Sequence, residues 1–152
     1  IVAAFGDPGA KRLASSMDIP VIGIAAAAAR EAALSGVSFA VVTSTPKLAP
    51  SIDKIIRAER GDTYLGCYTT EGDPLVLASN SDALDYALIT SCEIAKKAGA
   101  KRIIIGGGPL GQAAIRISSQ VKVPLIQPLV AACSEVSALI EHQLPHVQDV
   151  DR

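Results

Sequence analysis

The feature that most constrains the fold of this chain is a recurring alternation. Short apolar runs, nearly free of charge, are each followed by a Gly- or Thr-containing loop and then by a stretch with helical character. The runs fall at residues 1–4, 20–24 (PVIGI), 37–42, 63–68, 102–105 and 123–126. Helical stretches are expected over 11–17, 25–35, 47–60, from Asn80 or Ser81 to Lys97, 110–120 and 129–143. In the third of these, Leu48, Ile52, Ile55 and Ile56 share one helical face. Asn80 or Ser81 offers an N-cap, and Gly36 and Gly99 close their helices. Residues 69–79, with Gly72, Asp73 and Pro74, read as a loop, and 146–152 as a frayed polar tail. Strands that are apolar throughout, rather than alternating, are buried on both faces. Strands separated by helices pair in parallel. The expected class is therefore α/β, a parallel sheet with helices on both faces.

A second regularity lies on top of the first. Ile19-Pro20-Val21-Ile22, followed by Ala27-Ala28-Ala29-Arg30-Glu31, matches Val123-Pro124-Leu125-Ile126, followed by Ala131-Ala132-Cys133-Ser134-Glu135, at a constant offset of 104 residues. An offset of 103 places residues 1–6 on 104–109. Both copies run from apolar strand through a Gly/Pro loop and helix to an x-Pro strand and an Ala-rich helix, as a duplicated unit would. The later copy has a front half, 37–101, that the earlier one lacks. Duplication thus predicts two pseudo-symmetric lobes and about 65 residues ahead of Ile1. The expected division is the back half of a first lobe at 1–36, a second lobe at 37–126, and a helix returning to the first lobe plus a tail at 127–152.

Composition narrows the function classes. With 49% hydrophobic and 19% charged residues, the chain has the opposite balance to a disordered one. Fourteen basic and fifteen acidic residues leave no basic excess for nucleic acid, and 3% aromatics give no stacking platform. The longest apolar stretches, such as 21–29, fall short of the ~20 residues that span a bilayer. Cys67, Cys92 and Cys133 are far apart and odd in number. Neither a disulfide framework nor a zinc site is expected of them, but reduced thiols in a cytoplasmic protein. His142 and His146 have a metal-compatible spacing, yet Pro145 between them ends the helix, so no metal site is expected.

Ligands of parallel α/β proteins gather beyond the C-terminal ends of the strands. Three loops stand there: 5–9 (Phe5, Gly6, Asp7, Pro8, Gly9), 43–46 (Thr43, Ser44, Thr45, Pro46) and 106–109 (Gly106, Gly107, Gly108, Pro109). Each precedes a helix, whose first N–H groups can hold a carboxylate or phosphate. The Thr/Ser hydroxyls can donate to such a ligand or simply cap the helix. Asp7, the one acid of the three loops, can orient a ligand or act as a base; Asp before Pro is also a common turn former. Gly106, Gly108 and Gly111 also fit a G-x-G-x-x-G dinucleotide fingerprint after a strand. Gln127 stands where the ribose-binding acid should be, which leaves an oxidoreductase fragment as a minor alternative.

The FGDPG segment after an apolar strand is the most specific piece. Together with PVIGI, the 39–43 strand, the strand–glycine loop at 105–110 and VPLI at 123–126, it resembles the Asp/Glu/hydantoin racemase superfamily, closest to the hydantoin racemase branch, in order and spacing from residue 1 to about 143. The resemblance implies two pseudo-symmetric lobes with the site between them. It also implies self-association and cofactor-independent proton transfer at an activated carbon of a small carboxylate- or amide-bearing ligand. In that family two cysteines, one per lobe, face the substrate carbon from opposite sides. Here Ala4 and Gly107 occupy those two positions, Ala26 stands where Glu is frequent, and Gln127 where Asp is frequent. The implied substrate-binding set is Phe5, Gly6, Asp7, Thr43, Ser44, Thr45, Gly107, Gly108 and Pro109. A paralogue that binds its ligand without catalysis is the alternative reading.

Overall fold

A computed structural model of the protein describes residues 1–143. The polar tail and His146 lie outside the described residues.

Four parallel strands form one sheet: β1 (Phe39–Thr43), β2 (Tyr64–Thr69), β3 (Arg102–Ile105) and β4 (Leu125–Ile126), in the order β2-β1-β3-β4. The register sets Val41 beside Ile104 and Thr43 beside Thr69. Every residue of β1 is buried, which explains the absence of polar alternation in its sequence. Side chains along a strand alternate between faces, so the sheet splits its apolar residues into two cores. Phe39, Val41, Ile104 and Ile126 point into one, where α2 (Ile24–Ala32), α3 (Ala49–Arg60) and α7 (Pro128–Gln143) pack through Ala28, Ile52, Ile56 and Ala132. Ala40, Val42, Ile103 and Ile105 point into the other, beneath α5 (Ser81–Lys97) and α6 (Gly111–Ile117), with Leu88, Cys92, Ala114 and Ile117. Helices thus cover both faces, as the sequence pattern requires.

The alanines of α2 have a packing cause. The helix touches the sheet, α3 and α7, and six of its nine residues are buried. Small side chains on several sides let three neighbours approach at once. Arg30, on the remaining side, ties the three helices together. It donates to Glu59 of α3 at 2.8 Å and to both carboxylate oxygens of Glu135 of α7 at 3.0 and 2.9 Å. The guanidinium of Arg102 closes the C-terminal end of α2 by donating to the carbonyls of Glu31, Ala32 and Leu34.

Two differences from the sequence expectation matter. The runs 1–4 and 20–24 do not form full strands; they meet in one parallel bridge, Val2 with Gly23. The Val2 N–H donates to the Ile22 carbonyl at 2.7 Å and the Ile24 N–H to the Val2 carbonyl at 3.3 Å. Short runs with a single pairing partner sustain a bridge, not a ladder. The expected loop 69–79 contains a short helix, α4 (Pro74–Ala78). Asp73 caps it by accepting from the N–H groups of Leu75 and Val76, and Pro74 sits where its missing N–H costs nothing. A further short helix, α1 (Ala10–Ala14), follows the first glycine loop. Ile24 opens α2 and Pro128 opens α7, 104 positions apart as in the sequence offset, and these two helices pack on each other. Among the described residues, no helix is long and apolar enough to cross a membrane.

Candidate functional site

All four strands end on one edge, and the sequence there supplies loops instead of large side chains. Past β3, Gly106 donates its N–H to the Val42 carbonyl at 2.7 Å, which prolongs the ladder by one residue and starts the glycine loop at the sheet edge. A Cβ on Gly106 would lie 2.7 Å from the Phe5 ring and 2.7 Å from Val41 Cγ1. A Cβ on Gly108 would lie 3.6 Å from the Ala3 carbonyl oxygen. The residues on either side of Ala4 therefore touch the residues on either side of Gly107. Ala4 and Gly107, related by the 103-residue offset, each lie between residues that approach one another. Ala4 is exposed and Gly107 half-buried.

Of the three fingerprint glycines, Gly106 has a local cause, because Phe5 and Val41 fill the space that its Cβ would take. A Cβ on Gly108 or Gly111 would make only ordinary contacts at 3.6 Å, with the Ala3 carbonyl oxygen and Gln127 Oε1. Beside them, a Cβ on Gly107 would meet the Leu110 side chain at 3.0 Å. Close approach by the chain's own residues accounts for Gly106, without a pyrophosphate.

Gly107, Gly108, Pro109, Gly111, Gln112 and Gln127 line a cavity of about 320 Å³ with Pro128, Leu129 and Val130. Polar groups here are amides and backbone, suited to a neutral or amide-bearing ligand more than to a cation. Thr43 and Ser44 are buried and Thr45 half-buried at the end of β1. None caps a helix. The turn Pro46–Leu48 and α3 both lack a side-chain cap, and the Thr43 hydroxyl instead accepts from the Thr45 N–H at 3.3 Å. These three residues line neither the glycine cavity nor the Asp7 cavity described next.

Asp7 stands apart from the glycine cavity. Its Oδ1 accepts from the Ala25 N–H at 2.9 Å and its Oδ2 from the Ala26 N–H at 2.8 Å. It thereby caps α2 from eighteen residues away, where the local N-cap, Gly23, has no side chain to do so. To reach there its backbone takes φ 49°, a left-handed conformation that Asp tolerates. Burial pushes the carboxyl above its ordinary value, while the two N–H groups and the Arg30 guanidinium pull the other way. Asp7 faces a cavity of about 450 Å³ lined also by Lys11, Arg12, Val21, Arg30, Ile55 and Glu59.

Two residues were not legible as site residues. Thr70 follows β2, donates its N–H to the Thr43 carbonyl at 3.0 Å, and is buried with its hydroxyl unpaired. A second threonine at a strand end was its only signal. Gln127 was noted as a departure from a pattern, but its place beside Gly111 depends on the β3–β4 pairing. The thiols are not at this edge in a reactive form. Burial, aided by Asp53, pushes Cys67 up to about 12, and burial pushes Cys92 to about 12, so both are protonated at neutral pH. Cys133 is exposed on α7. Among the described residues, no group of three His, Cys, Asp or Glu side chains is placed to hold a metal ion.

A parallel α/β sheet with helices on both faces, and with Gly- and Thr-containing loops gathered at its C-terminal edge, defines the class as an α/β protein of the covered parallel-sheet type. Comparison with known proteins specifies the family. The chain belongs to the Asp/Glu/Hydantoin racemase family, whose model matches residues 1–136. It is 27% identical over 143 residues to a hydantoin racemase of Paenarthrobacter aurescens, covering 92% of this chain and 60% of the relative. It is 28% identical over 142 residues to a hydantoin racemase of Rhizobium meliloti, covering 92% and 59%. The chain thus spans about 60% of the length of these curated relatives. Among solved structures, the allantoin racemase of Pseudomonas fluorescens superposes with a TM-score of 0.82 at 22% identity, over 98% of this chain and 68% of that one. The glutamate racemase RacE1 of Bacillus anthracis superposes at 0.64 and 17% identity, over 91% and 56%. These likenesses establish the racemase fold.

Proposed function

We propose that the chain forms the greater part of a racemase-type isomerase. In this reading it binds a small carboxylate- or amide-bearing ligand at the C-terminal edge of the sheet and transfers a proton at an activated carbon without a cofactor. The observation that supports this reading is the approach of Phe5 to Gly106 and of Ala3 to Gly108, which flank the offset-related positions Ala4 and Gly107. A racemase needs two groups on opposite faces of one carbon, and a duplicated strand–loop unit is a means of supplying them. Phe5, Gly6, Gly107, Gly108 and Pro109 would contact the ligand, with Thr43, Ser44 and Thr45 at the adjoining strand end. Asp7 would act chiefly by holding its loop against α2. The two-lobe division at 36 and 126, self-association and a cytoplasmic setting belong to the same proposal.

A specific observation favours a second reading, a ligand-binding paralogue without catalysis. Neither Ala4 nor Gly107 carries an acid–base group, and Cys67, half-buried, and Cys92, buried, are held as protonated thiols. Solvent deuterium exchange at the carbon of 5-substituted hydantoins and of free amino acids separates the two. Exchange at that carbon supports the isomerase. Binding of the same compounds by calorimetry with no exchange supports the paralogue. Neither binding nor exchange refutes both.

A further inference from the structure

We infer that Thr70 is a ligand contact of the proposed site, and that its hydroxyl hydrogen-bonds a neutral carbonyl or amide group of the bound molecule. The inference rests on the ligand site proposed above, to which it adds a residue and the chemistry that residue selects. Among the described residues four polar side chains are buried: Thr43, Ser44, Thr70 and Ser91. All four meet at the C-terminal ends of β1 and β2. Thr43 and Ser44 close β1, and Thr70 follows β2 and donates its N–H to the Thr43 carbonyl at 3.0 Å. Helix α5 lays Ser91 against the same place, where its hydroxyl donates to the Thr69 carbonyl at 3.3 Å. Buried hydroxyls are ordinarily paired. That of Thr43 accepts from the Thr45 N–H, and that of Ser91 has Thr69. The Thr70 hydroxyl has no partner, although the residue is only 4% exposed. An unpaired buried hydroxyl is unfavourable, and Val has the same shape without that cost. A partner that arrives with the ligand accounts for threonine here. The other such hydroxyl belongs to Thr63, a half-buried residue at the opposite end of β2.

The place and the chemistry agree. At the end of β1 the Val42 carbonyl accepts from Gly106 and the Thr43 carbonyl from Thr70. Strand β1 therefore stands between Thr70 and the glycine loop, which are two strand spacings, ~10 Å, apart. That is the reach of one small molecule. None of the four buried polar side chains is charged. A hydroxyl offers one donor and two acceptor sites, so the cluster suits a carbonyl that accepts or an amide N–H that donates. A way in exists beside Thr70. Of residues 71–80, which include α4, Leu77 alone is buried. Gly72 starts this strap in a left-handed conformation, at φ 98°. A surface segment held to the core by one side chain opens locally without disturbing the sheet beneath it.

The test is calorimetric titration of the 152-residue chain with 5-benzylhydantoin, together with a thermal melt of each variant followed by circular dichroism. Thr70→Val should weaken binding about three- to tenfold, the share of one hydrogen bond, and leave Tm unchanged or raised. Thr70→Ser keeps the hydroxyl and should bind nearly as the natural chain does. Unchanged affinity in Thr70→Val overturns the inference and leaves the ligand site of the proposed function standing. Equal losses in the Val and Ser variants also overturn it, because side-chain shape and not the hydroxyl is then what the ligand meets. A lowered Tm in Thr70→Val, or its failure to fold, shows a hydroxyl that the fold itself uses and overturns it as well. No binding by the natural chain removes the site itself, and the inference falls with the reading it rests on.

Discussion

Replacing Gly23 by Ala tests the cap that joins the first glycine loop to α2. Gly23 has φ −89° and ψ 139°, an extended conformation that any residue adopts. In an unobstructed site the change would stabilise by ~0.4–1 kcal/mol through the unfolded chain. The site is obstructed, however, since a Cβ there would overlap the Asp7 carboxyl group. The carboxylate must then leave the N–H groups of Ala25 and Ala26, which it holds at 2.9 and 2.8 Å. Loss of an N-cap costs about 0.5–2 kcal/mol, and hydrogen bonds to a charged group fall at the upper end of that range. After the unfolded-state gain is subtracted, Gly23→Ala should destabilise by about 1–1.5 kcal/mol, or roughly 2–6 °C in Tm for a chain of this size. The decisive measurement is a double-mutant cycle with Asp7→Gly by urea denaturation. Gly at position 7 removes the carboxylate and still tolerates the left-handed φ. In that background Gly23→Ala should be neutral or stabilising, so the two changes couple by about 2 kcal/mol. Equal costs of Gly23→Ala in both backgrounds would refute the cap as the reason for glycine at this position.

Three further outcomes are expected. Gly106→Ala forces a methyl between Phe5 and Val41 and should cost ~1–3 kcal/mol by overpacking; chemical denaturation should show part of this recovered in Gly106→Ala/Phe5→Leu. Thiol titration of the native chain at pH 7.5 should count one fast group, exposed Cys133, a slower one, half-buried Cys67, and a third, buried Cys92, that reacts only in denaturant; fast labelling of Cys92 would contradict its burial. Because burial raises the Asp7 carboxyl, folding favours its protonated form. The stabilisation from this group is complete below its unfolded value of 3.8 and is lost as pH rises through the elevated folded value. The stability of the natural chain relative to Asp7→Asn should therefore grow on acidification from pH 7 towards pH 4, and a shrinking difference would show that the two N–H groups outweigh burial.

Much of the fold was legible because burial on both faces leaves a direct trace. FAVVT and RIII carry no alternation, and they occupy the two central strands. The Ala-rich stretch after Gly23 was legible as a helix, though not as the one that three neighbours enclose. The runs at 1–4 and 20–24 resembled strands for the same reason as the others, but strand formation depends on partners, and one bridge is what their pairing sustains. The 74–78 helix was hidden by Gly72 and Pro74, which serve a turn and a helix start equally well.

For the candidate site, the sequence determined the residue types and their order: an FGDPG loop, a TST loop and a GGGP loop, each after an apolar run, with a 103-residue offset that pairs Ala4 with Gly107. Such local chemistry follows from backbone freedom and strand ends, which neighbouring residues dictate. Only the tertiary structure decided what each loop does. It brought Phe5 onto Gly106, sent the Asp7 carboxylate to a helix beginning at Ile24, and left Thr43 bonded to its own turn instead of capping α3. Those outcomes depend on contacts between segments far apart in the chain. Their geometry is set by how two cores pack on one sheet, which no local pattern encodes.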